Sequence, residues 1–401
     1  MSRRYHLLLP VLVGLAPIPC ALAATGADGA STGIPLVLEW NARLRHELVD
    51  DAAFARDASA TTLRLRAGLR MGRATGFAAL LEGEGIASAG AHDSGANRGA
   101  GRPAIVDPEG VGLNQAWVGW KSSRFGAIAG RQRVLFANQR WLGNSGWRQH
   151  EQTFDALALD WNPRADLALR HAWLGRVHRV AGDRARDPLA RGRDLDTRVL
   201  DLQWTRGAHQ LAAFGLWHRD RDLAVASTAT VGLRAATGAP GDGRGWNLAL
   251  EVAEQRQHAG NPLSFRHRYW RIEPALTRAG ITWRAGWEHL GGNGRHALQA
   301  PLGTLHAFNG WADKFNATPP GGLDDRYLGA GGKFRDGRLD WQVAFHDYRA
   351  DTGGHYGREW NAALGFPVGK RLKGLVKVAG YRADGFARDT GKAWLQLEWT
   401  N

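Results

Sequence analysis

Leu63-Arg64-Leu65-Arg66-Ala67-Gly68-Leu69-Arg70-Met71 is the stretch whose reading decides the fold. Every second residue is apolar, and three of the four between them are arginine. Successive side chains of a β-strand point to opposite faces, so this segment has one oily face and one cationic face. A soluble sandwich would bury the oily face against a second sheet. A transmembrane barrel would turn it to lipid and set the arginines around a water-filled lumen.

The same alternation recurs along the chain. Leu36, Leu38, Trp40, Ala42 and Leu44 alternate with Val37, Glu39, Asn41, Arg43 and Arg45. Ile281, Trp283, Ala285 and Trp287 alternate with Thr282, Arg284, Gly286 and Glu288. The pattern divides into eighteen strands, starting near 36, 61, 75, 112, 124, 153, 165, 195, 208, 225, 245, 264, 279, 325, 337, 356, 371 and 391. Short turns, such as Asn162-Pro163-Arg164 and Arg335-Asp336-Gly337-Arg338, alternate with long connections near 86–111, 132–152, 179–194 and 290–324. Short periplasmic turns, long extracellular loops and an even strand count are the marks of an outer-membrane barrel. Trp120, Trp161, Trp204, Trp283, Trp341 and Trp399 each lie beside a short turn or the C-terminus, in phase with the apolar face. They read as an aromatic girdle at one rim. The expectation is an all-β, transmembrane antiparallel β-barrel spanning 36–401, wide enough at about 18 strands to leave an aqueous channel unless loops fill it.

The N-terminus agrees. Arg3 and Arg4 precede an apolar run from Leu7 to Leu15, and Ala21-Leu22-Ala23 supplies small residues for cleavage after Ala23. Residues 1–23 read as a secretory signal peptide and 24–35 as a short segment before the barrel. Cys20 is the only cysteine, so a mature chain has no disulfide. No later stretch is long and apolar enough for a spanning helix, which a barrel does not need. The localisation expected is the outer membrane of a Gram-negative bacterium.

Charge adds a function class and removes one. Without Arg3 and Arg4 the chain has 50 basic and 38 acidic residues. The arginines alternate with apolar residues instead of forming a block, in a chain bound for export, so nucleic acid is not the partner expected. With the apolar phase on lipid, parity places Arg43, Arg45, Arg64, Arg66, Arg70, Arg131, Arg133, Arg170, Arg176, Arg234, Arg271, Arg284, Lys333 and Lys377 on the pore side. It also places Glu39, Glu82, Glu84, Asp201, Glu251, Glu273, Glu288, Glu359 and Glu398 there. Many of these charges should pair across neighbouring strands. Arg43, Arg45, Arg64, Arg66 and Arg70 outnumber Glu39 and Glu47, so an arginine excess is expected to attract anions and fork onto carboxylates.

Catalysis is not indicated. No H-E-x-x-H, G-x-S-x-G or phosphate-binding glycine loop is present, and the histidines have no ligand spacing. No catalytic residue, cofactor or metal site is expected. Asp50-Asp51 and Asp324-Asp325 read as solvated loop charge.

Two segments carry more than alternation. The first runs from Gly130-Arg131-Gln132-Arg133 through Asn138-Gln139-Arg140 to Gly146-Trp147-Arg148-Gln149 and Glu151-Gln152-Thr153-Phe154-Asp155. The second runs from Pro301 through Phe308-Asn309-Gly310-Trp311-Ala312-Asp313-Lys314-Phe315, then Leu328-Gly329-Ala330-Gly331-Gly332-Lys333. With Tyr381-Arg382-Ala383-Asp384, these resemble the alginate export family of outer-membrane proteins over nearly the whole mature chain. The resemblance implies a monomeric eighteen-stranded barrel with an electropositive pore, inserted by the barrel-assembly machinery. It implies a constriction role for Arg131, Arg133 and Arg148, and an anionic polysaccharide as cargo. The residues leave two further readings open. One is an uptake porin for small organic anions or oligosaccharides. The other is a barrel enzyme or adhesin, with Phe308, Trp311 and Phe315 of the 290–324 loop as an outer binding surface.

Overall fold

The computed structural model describes residues 34–92, 101–238, 245–334 and 337–401. The expected signal segment, most of 24–35, part of the 86–111 connection and the Arg335-Asp336 half of one turn lie outside the described residues.

The strands are β1 (Leu36–Asp51), β2 (Ala58–Gly72), β3 (Gly76–His92), β4 (Gly110–Lys121), β5 (Phe125–Gln132) and β6 (Thr153–Arg164). They continue with β7 (Leu167–His178), β8 (Gly192–Arg206), β9 (His209–His218), β10 (Thr228–Thr237), β11 (Gly245–Gln257) and β12 (Arg266–Arg278). The last six are β13 (Ile281–Leu290), β14 (Leu323–Phe334), β15 (Leu339–Arg349), β16 (His355–Pro367), β17 (Leu372–Ala383) and β18 (Thr390–Thr400). Each strand pairs antiparallel with its neighbours in sequence, and β1 pairs with both β2 and β18, closing the barrel. Closure satisfies every edge, which a sheet in lipid requires. All eighteen strands start within three residues of the positions read from sequence.

Alternation becomes two walls. On β2, Leu63, Leu65, Leu69 and Met71 are 41–51 % exposed, whereas Arg64 and Arg66 are 1 % and 6 % exposed. The leucines face outward to lipid and the arginines inward. The six tryptophans of the expected girdle lie on the outward phase beside the short-turn end. A second outward set, Trp173, Trp217, Trp270, Trp287 and Trp360, lies nearer the long-loop end. The short turns have local causes. Ala279 and Gly280 both take positive φ (51° and 75°), the two-residue geometry that matches the twist of the hairpin β12–β13.

The apolar core lies inside the barrel. Phe154, Leu174, Phe214, Tyr269, Tyr348, Tyr381 and Trp394 of the inner wall pack with Trp141, Leu142, Leu298, Leu302 and Phe315 of two connections. Those connections are 133–152, between β5 and β6, and 291–322, between β13 and β14. Both fold into the lumen.

Candidate functional site in the barrel lumen

The two inward loops meet each other first. Leu142 and Leu302 form an isolated parallel bridge, and Gly143 donates its N–H to the Leu302 carbonyl at 2.9 Å. Thr304 N–H donates to the Gln139 carbonyl at 2.9 Å, and the Gln152 amide donates to Leu302 O at 2.9 Å. Trp141 stands edge-on to Tyr269, and Phe315 lies 4.4 Å from Tyr348. Phe308 and Phe315 are buried, so the 290–324 connection does not present these rings as an outer binding surface.

The arginines of β1 and β2 hold the first loop by its backbone. Arg43 donates to Gly146 O at 3.1 Å, Arg45 to Trp147 O, and Arg66 to Gln149 O at 3.1 Å. Carboxylates complete the array. Arg45 pairs with Asp107 at 3.2 Å, and Arg66 with Glu84 at 2.8 Å and Glu151 at 3.2 Å. Arg43 and Arg64 stand opposite in register, a repulsive pairing that Glu398 relieves by reaching both, at 3.1 and 3.4 Å. The expected surplus over Glu39 and Glu47 is therefore largely absorbed. The two inward loops carry Glu151 and Asp313 into the lumen, the β3–β4 connection adds Asp107, and backbone carbonyls take up further guanidinium donors.

The remaining residues singled out from the sequence divide by environment. Glu82 accepts from Asn114 and Gln115 and lies 3.4 Å from Arg133, while Glu84 also meets His150 at 2.6 Å. Arg148 bridges Glu47 at 3.3 Å and Asp313 at 3.0 Å. Burial works against the charge on Arg148, but Glu47 and Asp313 outweigh it and hold its pKa above the usual arginine range. Burial likewise opposes charge on Glu151, yet Arg66 and Arg133 hold its carboxyl well below the usual range. Lys377 points inward but is capped: its Nζ lies 3.9 Å from the ring centres of Trp147 and Trp311 and 2.7 Å from His306 Nε2. Arg70, Arg133 and Arg170 keep 40 %, 32 % and 44 % of their side chains open, paired with Glu39, Glu151 and Asp160. Among the described residues, half-buried Arg284 makes neither an ion pair nor a side-chain hydrogen bond.

Two arginines depart from the expected phase. Arg131 is in register with Ala116 and Asp155, in phase with Phe125, Ala127 and Ala129, and donates to the carbonyl of outward Leu113. It faces outward, paired with Asp155 at 2.9 Å, and not into the pore. Arg176 follows a bulge at Leu174–Arg176 that reverses the phase, so it also faces outward, on Asp194. Asp51 pairs with Lys314, while Asp324 and Asp325 point to opposite faces of β14. Asp324, with His289 and Asp351, brings ligand atoms within 4.8 Å of one another on the outer rim.

Sequence parity did not find Asp107, His306 or Asp313. For His306 and Asp313 the motif segment 301–315 was the available signal, because it turns inward; Asp107, in the β3–β4 connection, had none.

A closed antiparallel barrel of eighteen strands, apolar outside, charged within and narrowed by inward loops, is an outer-membrane barrel with the fold of the porins. It is similar to the crystal structure of OccK9 (OpdG) from Pseudomonas aeruginosa, with a TM-score of 0.70 and 15 % identity, over 91 % of this chain and 98 % of that one. OccAB2 of Acinetobacter baumannii aligns with a TM-score of 0.71 and 14 % identity, over 91 % and 98 %. P. aeruginosa OpdK, solved with vanillate, aligns with a TM-score of 0.67 and 14 % identity, again over 91 % and 98 %. No protein-family model matches the chain, so the resemblance to alginate exporters gains no support there. No curated protein matches it either.

Proposed function

We propose that the chain is a channel for uptake of small organic anions across the outer membrane. The observation that carries this reading is the pair of loops docked inside the lumen, with cations of the wall and of the first loop that stay open to water. Arg70, Arg133, Arg170 and Arg284 offer guanidinium forks to a passing carboxylate. Their acidic neighbours weaken any one contact, and weak binding at several sites favours transit over trapping. The vanillate in the OpdK crystal is a small aromatic carboxylate, of the size this reading calls for. Export of an alginate-like polysaccharide is the second reading, favoured by the 130–155 and 301–333 segments. It requires the docked loops to move aside for a polymer.

Planar-bilayer recording separates the two. Small-anion uptake predicts an anion-selective reversal potential, concentration-dependent block by benzoate-type carboxylates, and weaker selectivity in Arg284→Glu. Block by alginate oligomers without block by small carboxylates favours polymer export. Cation selectivity refutes both.

A further inference from the structure

The outer wall carries an arginine patch that neither the pore nor the loops use. Arg198 on β8, Arg256 on β11 and Arg266 and Arg268 on β12 face outward and are exposed, with Arg219 and Arg221 just beyond β9. Register places them together. Arg198 is opposite Trp173 on one side and Trp217 on the other, Trp217 is opposite Ala229, Ala229 opposite Arg256, and Arg256 opposite Arg266. Neighbouring strands lie about 4.8 Å apart, so Arg198 and Arg256 stand roughly 14 Å apart along the wall.

The patch has few anions of its own. Arg219 and Arg221 approach Asp196 only to 3.8 and 3.7 Å, and Glu254 is taken by Arg266 at 2.6 Å. Among the described residues, Arg198, Arg256 and Arg268 have no ion pair and no side-chain hydrogen bond. The outer wall at β15–β17 differs. There Arg349 and Arg358 share Asp347, at 3.0 and 3.1 Å, and Arg382 holds Asp389 at 2.6 Å. Nor is genome-wide arginine usage an explanation, since the imbalance is local.

Height on the barrel selects the partner. The patch is level with Trp173 and Trp217, at the long-loop side of the apolar band. Directly below it Leu200, Val231, Val252 and Ile272 are 39–52 % exposed. A ligand filling this surface has acyl chains below and several anionic groups above. Guanidinium forks suit phosphate, and tryptophans mark the lipid–water boundary. We infer that strands β8–β12 bind the phosphorylated glycolipid of the outer leaflet, with its phosphates on Arg198, Arg256 and Arg268 and its chains along the apolar residues beneath. Binding here anchors the barrel at a fixed height, and does not depend on what passes through the pore.

The test is native mass spectrometry of the full-length barrel folded in detergent, titrated with bisphosphorylated lipid A, with dephosphorylated lipid A and with inorganic phosphate. Each arginine at an anionic surface gives roughly a fivefold gain, so removing three predicts about a hundredfold weaker lipid A binding. The variant is R198Q/R256Q/R268Q, and R349Q/R358Q/R382Q is the control expected to bind within about twofold of the wild type. Dephosphorylated lipid A should bind the wild type as weakly as lipid A binds the first variant. That comparison needs no mutant, so a variant that fails to fold leaves the test intact. Equal wild-type binding of both lipids overturns the inference, as does equal loss in the two variants. Displacement of lipid A by equimolar inorganic phosphate also overturns it, since the site would then be one for free phosphate.

Discussion

Asp313→Asn should release the 291–322 loop from the wall and open the channel. Asp313 Oδ2 takes Lys392 Nζ at 2.7 Å and Arg148 at 3.0 Å, while Oδ1 takes His306 Nδ1 at 2.7 Å. One carboxylate thus ties the second loop to β18, to the first loop and, through His306, to Lys377 on β17. Breaking a buried ion pair by removing one partner costs about 3–5 kcal/mol, because the other charge stays buried. Arg148 keeps Glu47 at 3.3 Å, so the low end applies, about 3 kcal/mol. The β ladder does not pass through Asp313, so the cost falls on docking of the loop and not on closure of the barrel. At 1.4 kcal/mol per tenfold, the docked state loses roughly a hundredfold in relative population. Single-channel recording should then show a larger conductance, or flicker between levels, with reduced anion selectivity. Unchanged heat-modifiability on gels establishes that the barrel is intact. Asp313→Asn combined with Lys392→Met removes both buried charges and should restore part of the closed behaviour. An intact Asp313→Asn barrel with wild-type conductance and selectivity refutes the reasoning.

The wall was legible because its rule is local. A period of two needs only neighbours in sequence, so strand starts and the facing of Leu63–Met71 follow from residues a few positions apart. The lumen was not, because its contacts are distant in sequence. Glu251 reads as a wall carboxylate awaiting an arginine, yet it accepts from Trp141 Nε1, 110 residues away. Arg45 reads as an anion selector, and its partners are Asp107 and the Trp147 carbonyl. Parity also fails where the strand does. Arg131 and Arg133 share a phase only if β5 continues, and β5 ends at Gln132, so Arg133 turns inward to Glu151 while Arg131 stays outside. The bulge before Arg176 has no signature in alternation, and one extra residue flips every later side chain. The motif segments did mark which connections matter, although not that they fold inward.

Leu65→Arg, near the middle of β2 on the lipid face, should cost about 2–4 kcal/mol in reversible folding into bilayers. No loss there would deny the outward phase. Gly310 has φ 87° and its backbone lies against Tyr348 and Glu359, so Gly310→Ala should lift the loop tip. Trypsin should then cut after Lys314, which the docked loop shields beside Asp51; continued protection refutes this. Acidification should open the channel as Asp313→Asn does. His306 accepts from Lys377 and donates to Asp313, a neutral imidazole; burial, with Lys377 adjoining, depresses its pKa from 6.5 to about 3. Between those values the undocked loop binds more protons than the docked one, so docking weakens as pH falls through that window. Asp313 acts in the same direction at lower pH. Its carboxyl is held well below 3.8, burial being outweighed by its cationic neighbours, and its contribution is lost as pH falls through that depressed value. Conductance should therefore rise from pH 6.5 toward pH 4, and His306→Gln should flatten the response. A conductance that falls on acidification would require a protonated His306 in the docked state, two cations in contact at 2.7 Å, and would overturn the assignment of that relay.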